Sequence, residues 1–181
     1  MKKILVFTFI LIILISSGVT AKNYLNTSYT TCGSGSTLDF SVLSNTSNIA
    51  YKGTFTNLST FIGDYIKFDI LAGYFFETEN SRFWGSGKNY LMAGIRSSST
   101  SSGTLFIYES ISKLGNKGRF YNHSIIEYII WPDSQNYLTN KFFLAQKLNE
   151  KYFIEGGIVW HQGEFKNSGS MGIRFGVLNK F

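Results

Sequence analysis

The chain is poor in the features that hold many secreted proteins together. It has one cysteine and one proline in 181 residues. A single cysteine, Cys32, excludes an internal disulfide and with it a small domain stapled by bridges. Lipid attachment would need a cysteine directly behind a signal's apolar run, whereas Tyr29-Thr30-Thr31 precede this one. Cys32 is therefore read as an inert passenger. After the first twenty residues no stretch is long and apolar enough for a transmembrane helix, which needs about twenty such residues. No basic cluster is interleaved with aromatics, so no nucleic-acid partner is expected. There are only two histidines, far apart in sequence, which is too few ligands for a metal site, and no cofactor is expected.

What is present begins with an export signal. Lys2 and Lys3 precede an uncharged, mostly apolar run from Ile4 to Ile15, followed by Ser16, Ser17, Gly18 and Val19-Thr20-Ala21. This order of charged, greasy and small residues predicts a signal peptide over residues 1–21, cleaved after Ala21. A retained anchor is the alternative. The remaining 22–181, about 160 residues, suit one domain. Formal charge falls from +6 to +4 when Lys2 and Lys3 leave, a modest basic excess compatible with anionic surface lipid and with a soluble protein alike. The mature part is rich in Gly, Ser, Asn, Tyr and Phe, which form strands and turns rather than helices.

Six strand-like segments occupy the second half: Lys88 to Ser97, Gly103 to Ile111, Arg119 to Trp131, Asn136 to Leu148, Lys151 to His161, and Ser170 to Phe181. Short connections full of breakers separate them, leaving no room for crossover helices, so an antiparallel meander is expected. Phe61 to Glu77 is a further long strand. Residues 22–60 alternate less clearly and hold one strand or three. A closed bacterial barrel has an even number of strands, which leaves eight or ten, and eight is favoured.

The parity of these segments bears on the solvent. On Lys151 to His161, Tyr152, Ile154, Gly156, Ile158 and Trp160 share one face, aromatic at both ends and mostly aliphatic between. Eight residues at ~3.3 Å, tilted ~40°, separate Tyr152 from Trp160 by roughly 20 Å, close to the ~25 Å apolar band of an outer-membrane barrel. Aromatic rings favour lipid–water interfaces, so Tyr152, Trp160 and Phe181 are assigned to those belts. The opposite faces collect charge: Lys67, Asp69, Glu77, Arg96, Glu109, His123, Glu127, Lys141, Glu155 and Arg174. These are expected to pair across a narrow lumen, since a buried unpaired charge costs several kcal/mol, and to leave no wide diffusion pore. A soluble secreted barrel or sandwich, with the faces reversed, is the competing fold.

With the N-terminal signal, the alternating segments and the ending GIRFGVLNKF, the chain resembles the small outer-membrane β-barrels of Gram-negative bacteria, the group of OmpA-type transmembrane domains, OmpX-like proteins and opacity-type porins. The likeness is most detailed over Lys147 to Phe181, which looks like their final hairpin, with a tight turn at Asn149-Glu150. It implies a closed antiparallel up-and-down transmembrane barrel in the outer membrane, in contact with lipopolysaccharide. It also implies recognition of the terminal aromatic strand by the barrel-assembly machinery, with Phe175 and Phe181 carrying that signal. Asn179 departs from the apolar alternation of such strands. The exposed loops would be Ser97 to Ser102, Pro132 to Asn136 and Gly163 to Gly169, with no ligand indicated.

Some barrels of this kind modify lipid A, so the histidines matter. His123 shares a face with Glu127, but the two are about 13 Å apart along the strand and cannot touch. The residue two after His123, where a lipid A deacylase carries its serine, is Ile125. His161 could be oriented by Glu155 or Glu164, but no serine is placed beside it as a nucleophile. The paired-aspartate signature of the outer-membrane proteases is also missing. A non-catalytic role is favoured, and a lipid A-modifying enzyme using His123 or His161 is the alternative.

Overall fold

A computed structural model describes residues 22–32, 35–60, 63–78, 86–98, 101–115, 118–132, 136–163 and 170–180. The expected signal peptide and Phe181 lie outside the described residues, as does the side chain of Cys32. Ten strands run in order: β1 (Lys22–Cys32), β2 (Gly35–Thr46), β3 (Ile49–Thr60), β4 (Gly63–Thr78), β5 (Gly87–Ser98), β6 (Ser102–Leu114), β7 (Phe120–Ile130), β8 (Tyr137–Lys147), β9 (Tyr152–Gly163) and β10 (Ser170–Lys180). Each pairs antiparallel with its sequence neighbours, and β1 pairs with β10, so the sheet is a closed barrel with no free edge. Closure runs from Tyr24 opposite Lys180 to Cys32 opposite Gly172.

The strand number is ten, the alternative to the favoured eight. The difference lies in residues 22–60, which hold three strands. Their alternation is weak because β1 carries Thr27 and Thr31 on its outward face beside Leu25 and Tyr29, so hydroxyls blur the contrast between faces. The β2–β3 turn is also disguised. It is the two-residue connection Ser47-Asn48, and Ser47 takes φ 44°, a left-handed conformation usually signalled by Gly or Asn. The Asn48 carbonyl then accepts a bond from the Phe75 amide on β4 at 2.9 Å, which stabilises the turn from outside the hairpin.

Sidedness follows from the register. Among described strand side chains, every Asp, Glu, Lys and Arg falls on the inward parity. The outward parity is apolar and open: Tyr74 is 70% exposed, Phe175 63% and Ile95 62%, while Met92, Leu105, Ile107 and Val159 are buried inside. Tyr152, Ile154, Ile158, Trp160, Ile173 and Val177 all face out. A sheet in water arranges its faces the other way round, because large apolar surface is expelled from water and charge is retained in it. Among the described residues no helix is long and apolar enough to cross a membrane, which does not bear on strands.

A candidate functional site in the barrel lumen

Each strand contributes alternate side chains to the lumen, so residues far apart in sequence meet across it. The central group is built around His123 of β7. Its Nδ1 lies 2.8 Å from Glu155 Oε2 on β9, and its Nε2 lies 2.9 Å from Glu109 Oε1 on β6. Between two ionised carboxylates, which only accept, an imidazole donates from both nitrogens as an imidazolium cation. Lys52 of β3 donates to the other oxygen of Glu109. Asn26 of β1 donates to Glu155 Oε1 at 2.8 Å, and Arg174 of β10 approaches the same oxygen at 3.6 Å. Arg174 reaches on to Asp39 at 3.9 Å and lies over the Phe143 ring at 4.7 Å. Asp39 in turn accepts a bond from Thr56 at 2.7 Å.

A second group lies beside the first. Arg96 of β5 grips Asp69 of β4 with two bonds, Nε to Oδ1 at 2.8 Å and Nη2 to Oδ2 at 2.7 Å. The same Nη2 is 3.2 Å from Glu127 on β7, whose other oxygen accepts from Lys141 of β8 at 2.5 Å. The forked Arg96–Asp69 pair fixes orientation as well as charge. Asp69, Glu109, His123, Glu127, Glu155 and Arg174 are all buried. The two groups line a void of only about 30 Å³, room for a few water molecules.

Two of the inward charges named from sequence stand apart from these groups. Glu77 is exposed at the barrel rim, opposite Lys88 in register. Lys67 faces inward but makes no ion pair within 4 Å among the described residues. Lys52, Asp39 and Asn26 complete the network and were not singled out from sequence, because they belong to the weakly patterned first three strands. Gly176 makes room for it: a Cβ there would come 2.9 Å from the Ser28 Cβ and 3.0 Å from Glu155 Oε1.

The ion pairs and hydrogen bonds of this arrangement tie β1, β3, β6, β7, β9 and β10 together across the lumen. Both nitrogens of His123 are engaged by carboxylates, so neither is free to take a proton from a nucleophile. His161 pairs through Nδ1 with Thr139 Oγ1 at 2.9 Å, and Glu155, one expected partner, bonds His123 instead. Glu164, the other, lies outside the described residues. Among the described residues no group of three or more His, Cys, Asp or Glu is arranged to hold a metal ion.

Comparison with family models and with curated proteins gives no match. Among solved structures, the KdgM porin superimposes with a TM-score of 0.55 at 9% identity, covering 87% of this chain and 99% of that one. The KdgM porin in complex with disordered oligogalacturonate gives 0.51 at 8% identity, with the same coverage. This chain has the fold of the outer-membrane β-barrels. Neisserial surface protein A aligns over 89% of this chain and 97% of its own, at 14% identity and a TM-score of 0.40. At such identities the likeness is one of fold alone, and the lumen chemistry has to be argued from this chain's own residues.

Proposed function

We propose that the protein is an integral outer-membrane barrel of a Gram-negative bacterium, exported by a signal peptide over residues 1–21, with a structural or surface-interaction role and no catalysis. The observation that carries this is the inversion of the faces, apolar outside and charged inside. That arrangement is stable only where the outside solvent is lipid. Its partners are then outer-membrane lipid, lipopolysaccharide and the barrel-assembly machinery. Tyr152, Trp160 and Phe181 anchor the interfaces, and Phe175 and Phe181 mark the closing strand for assembly.

The paired lumen supports a closed barrel with at most minor permeability. Opposite charges hold each other across the middle, and opening a path would separate them in a low-dielectric interior. Fractionation with carbonate extraction, followed by conductance in planar bilayers, tests both parts. The expected result is membrane retention with only rare, small conductance events. Release into the soluble fraction would remove the membrane reading, and a large steady conductance would remove the closed lumen.

A further inference from the structure

Ten strands enclose more space than the central network fills, and part of that surplus lies at one end of the barrel. Beneath the rim that carries the start of β1 and the end of β10 lies a cavity of about 450 Å³. That size falls in the range of small-molecule sites, about 300–1,000 Å³. Its floor is His123, held in place by Glu109 and Glu155, so the cavity is a blind chamber rather than a stretch of channel.

The walls and rim differ in chemistry. Ile111, Tyr121, Phe153 and Leu178 form an apolar wall, with the Tyr121 and Phe153 rings edge to face at 5.2 Å. Lys88, Lys113, Lys147 and Lys180 line the mouth, against Glu77 and Glu150. Lys147 is ion-paired with Glu150 at 2.6 Å. Among the described residues Lys88, Lys113 and Lys180 have no carboxylate within 4 Å. The Lys88 ammonium instead lies against the Tyr24 hydroxyl at 2.5 Å and over the Tyr24 ring at 5.1 Å, poised inside the chamber.

We propose that this chamber binds a small amphipathic organic anion, whose apolar or aromatic body packs on the Tyr121–Phe153 wall and whose carboxylate, sulfonate or phosphate meets the unmatched lysines. The apolar wall gains from excluding water, and the cations supply the sign of the selection. A floor bonded on both sides and a closed sheet preform the site, so little ordering opposes binding.

The test is calorimetric titration of the whole protein in phosphatidylcholine nanodiscs, with empty nanodiscs subtracted. The probes are naphthalene-2-sulfonate, neutral 2-naphthol and cationic 2-naphthylmethylammonium. Saturable binding of the sulfonate is expected, with the other two at least about tenfold weaker. Lys113→Glu combined with Lys180→Glu, both exposed at the rim, is expected to weaken the sulfonate at least about tenfold. Ala145→Phe, which fills the chamber from its wall, is expected to abolish binding. Heat-modifiable gel mobility reports whether each variant is folded, and if Ala145→Phe is not, the rim variant decides alone. No saturable binding of the sulfonate, equal binding of 2-naphthol, or unchanged affinity in the folded rim variant would each overturn the proposal.

Discussion

Replacing Phe175 by arginine asks directly which solvent surrounds the barrel. Phe175 is 63% exposed on the outward face of β10 and lies opposite Gly156 of β9. Gly156 is midway between Tyr152 and Trp160, so Phe175 sits about 10 Å from each aromatic belt, near the centre of the apolar band. An arginine at the midplane of a lipid-facing strand costs about 2–4 kcal/mol, falling to about 0–1 near the interface. That range is roughly 30- to 900-fold in the folding equilibrium. Tyr152→Arg, on the same outward face but at the belt, is the control. The assay is reversible urea unfolding into phosphatidylcholine vesicles, followed by tryptophan fluorescence. A large loss for Phe175→Arg and a small one for Tyr152→Arg is expected. Equal small losses at both positions, as for exposed residues of a soluble sheet, would refute the argument from inverted faces.

His123→Leu removes the cation between two carboxylates and is expected to destabilise the barrel by about 3–5 kcal/mol. The lower end applies, because Glu109 keeps Lys52 and Glu155 keeps Asn26 and Arg174; the temperature of the heat-modifiable mobility shift measures it, and an unchanged midpoint would contradict the network. Gly176→Val forces the backbone of β10 away from Ser28 and Glu155, since a Cβ would already stand within 3.0 Å of both. Reduced yield of folded barrel is expected, whereas Gly115→Val, where nothing lies within 4 Å, disturbs only the local left-handed backbone. Deleting Phe181 is expected to lower assembly into the outer membrane, read by surface exposure and heat-modifiable mobility, and unchanged values in both would count against a role in assembly.

Parity made most of the fold legible. The boundaries of β4 to β10 lie within three residues of the segments read from alternation, because those strands keep their charged residues on one face and leave the other largely apolar. The weak place was β1 to β3, where Thr and Ser occupy both faces and the β2–β3 turn carries no glycine. The lumen was legible only in part for a different reason. Alternation tells that Glu109, His123 and Glu155 point inward, but His123 meets Glu155 across an intervening strand, β8, at a separation of 32 residues. Which inward residues touch depends on barrel width and stagger, and neither is written in any single strand. Glu127, on the same face of β7 as His123, meets Arg96 and Lys141 instead.

Width also links the closed lumen to the blind chamber. An eight-stranded barrel is just filled by its own side chains. Two further strands add perimeter, and the added interior has to be filled, wetted or left as a cavity. At mid-height this chain fills it with long charged residues paired across the axis, leaving a void of only about 30 Å³. Toward the rim the lining side chains leave a cavity of about 450 Å³. Glu109, His123 and Glu155 thus serve both halves: they tie β6, β7 and β9 together across the axis, and they form the base on which the chamber rests. It follows that damage at His123 should not be confined to stability. In a His123→Leu barrel that still folds, the chamber floor loses its polar member and gains an apolar one, so any ligand held there would respond to a substitution made for structural reasons.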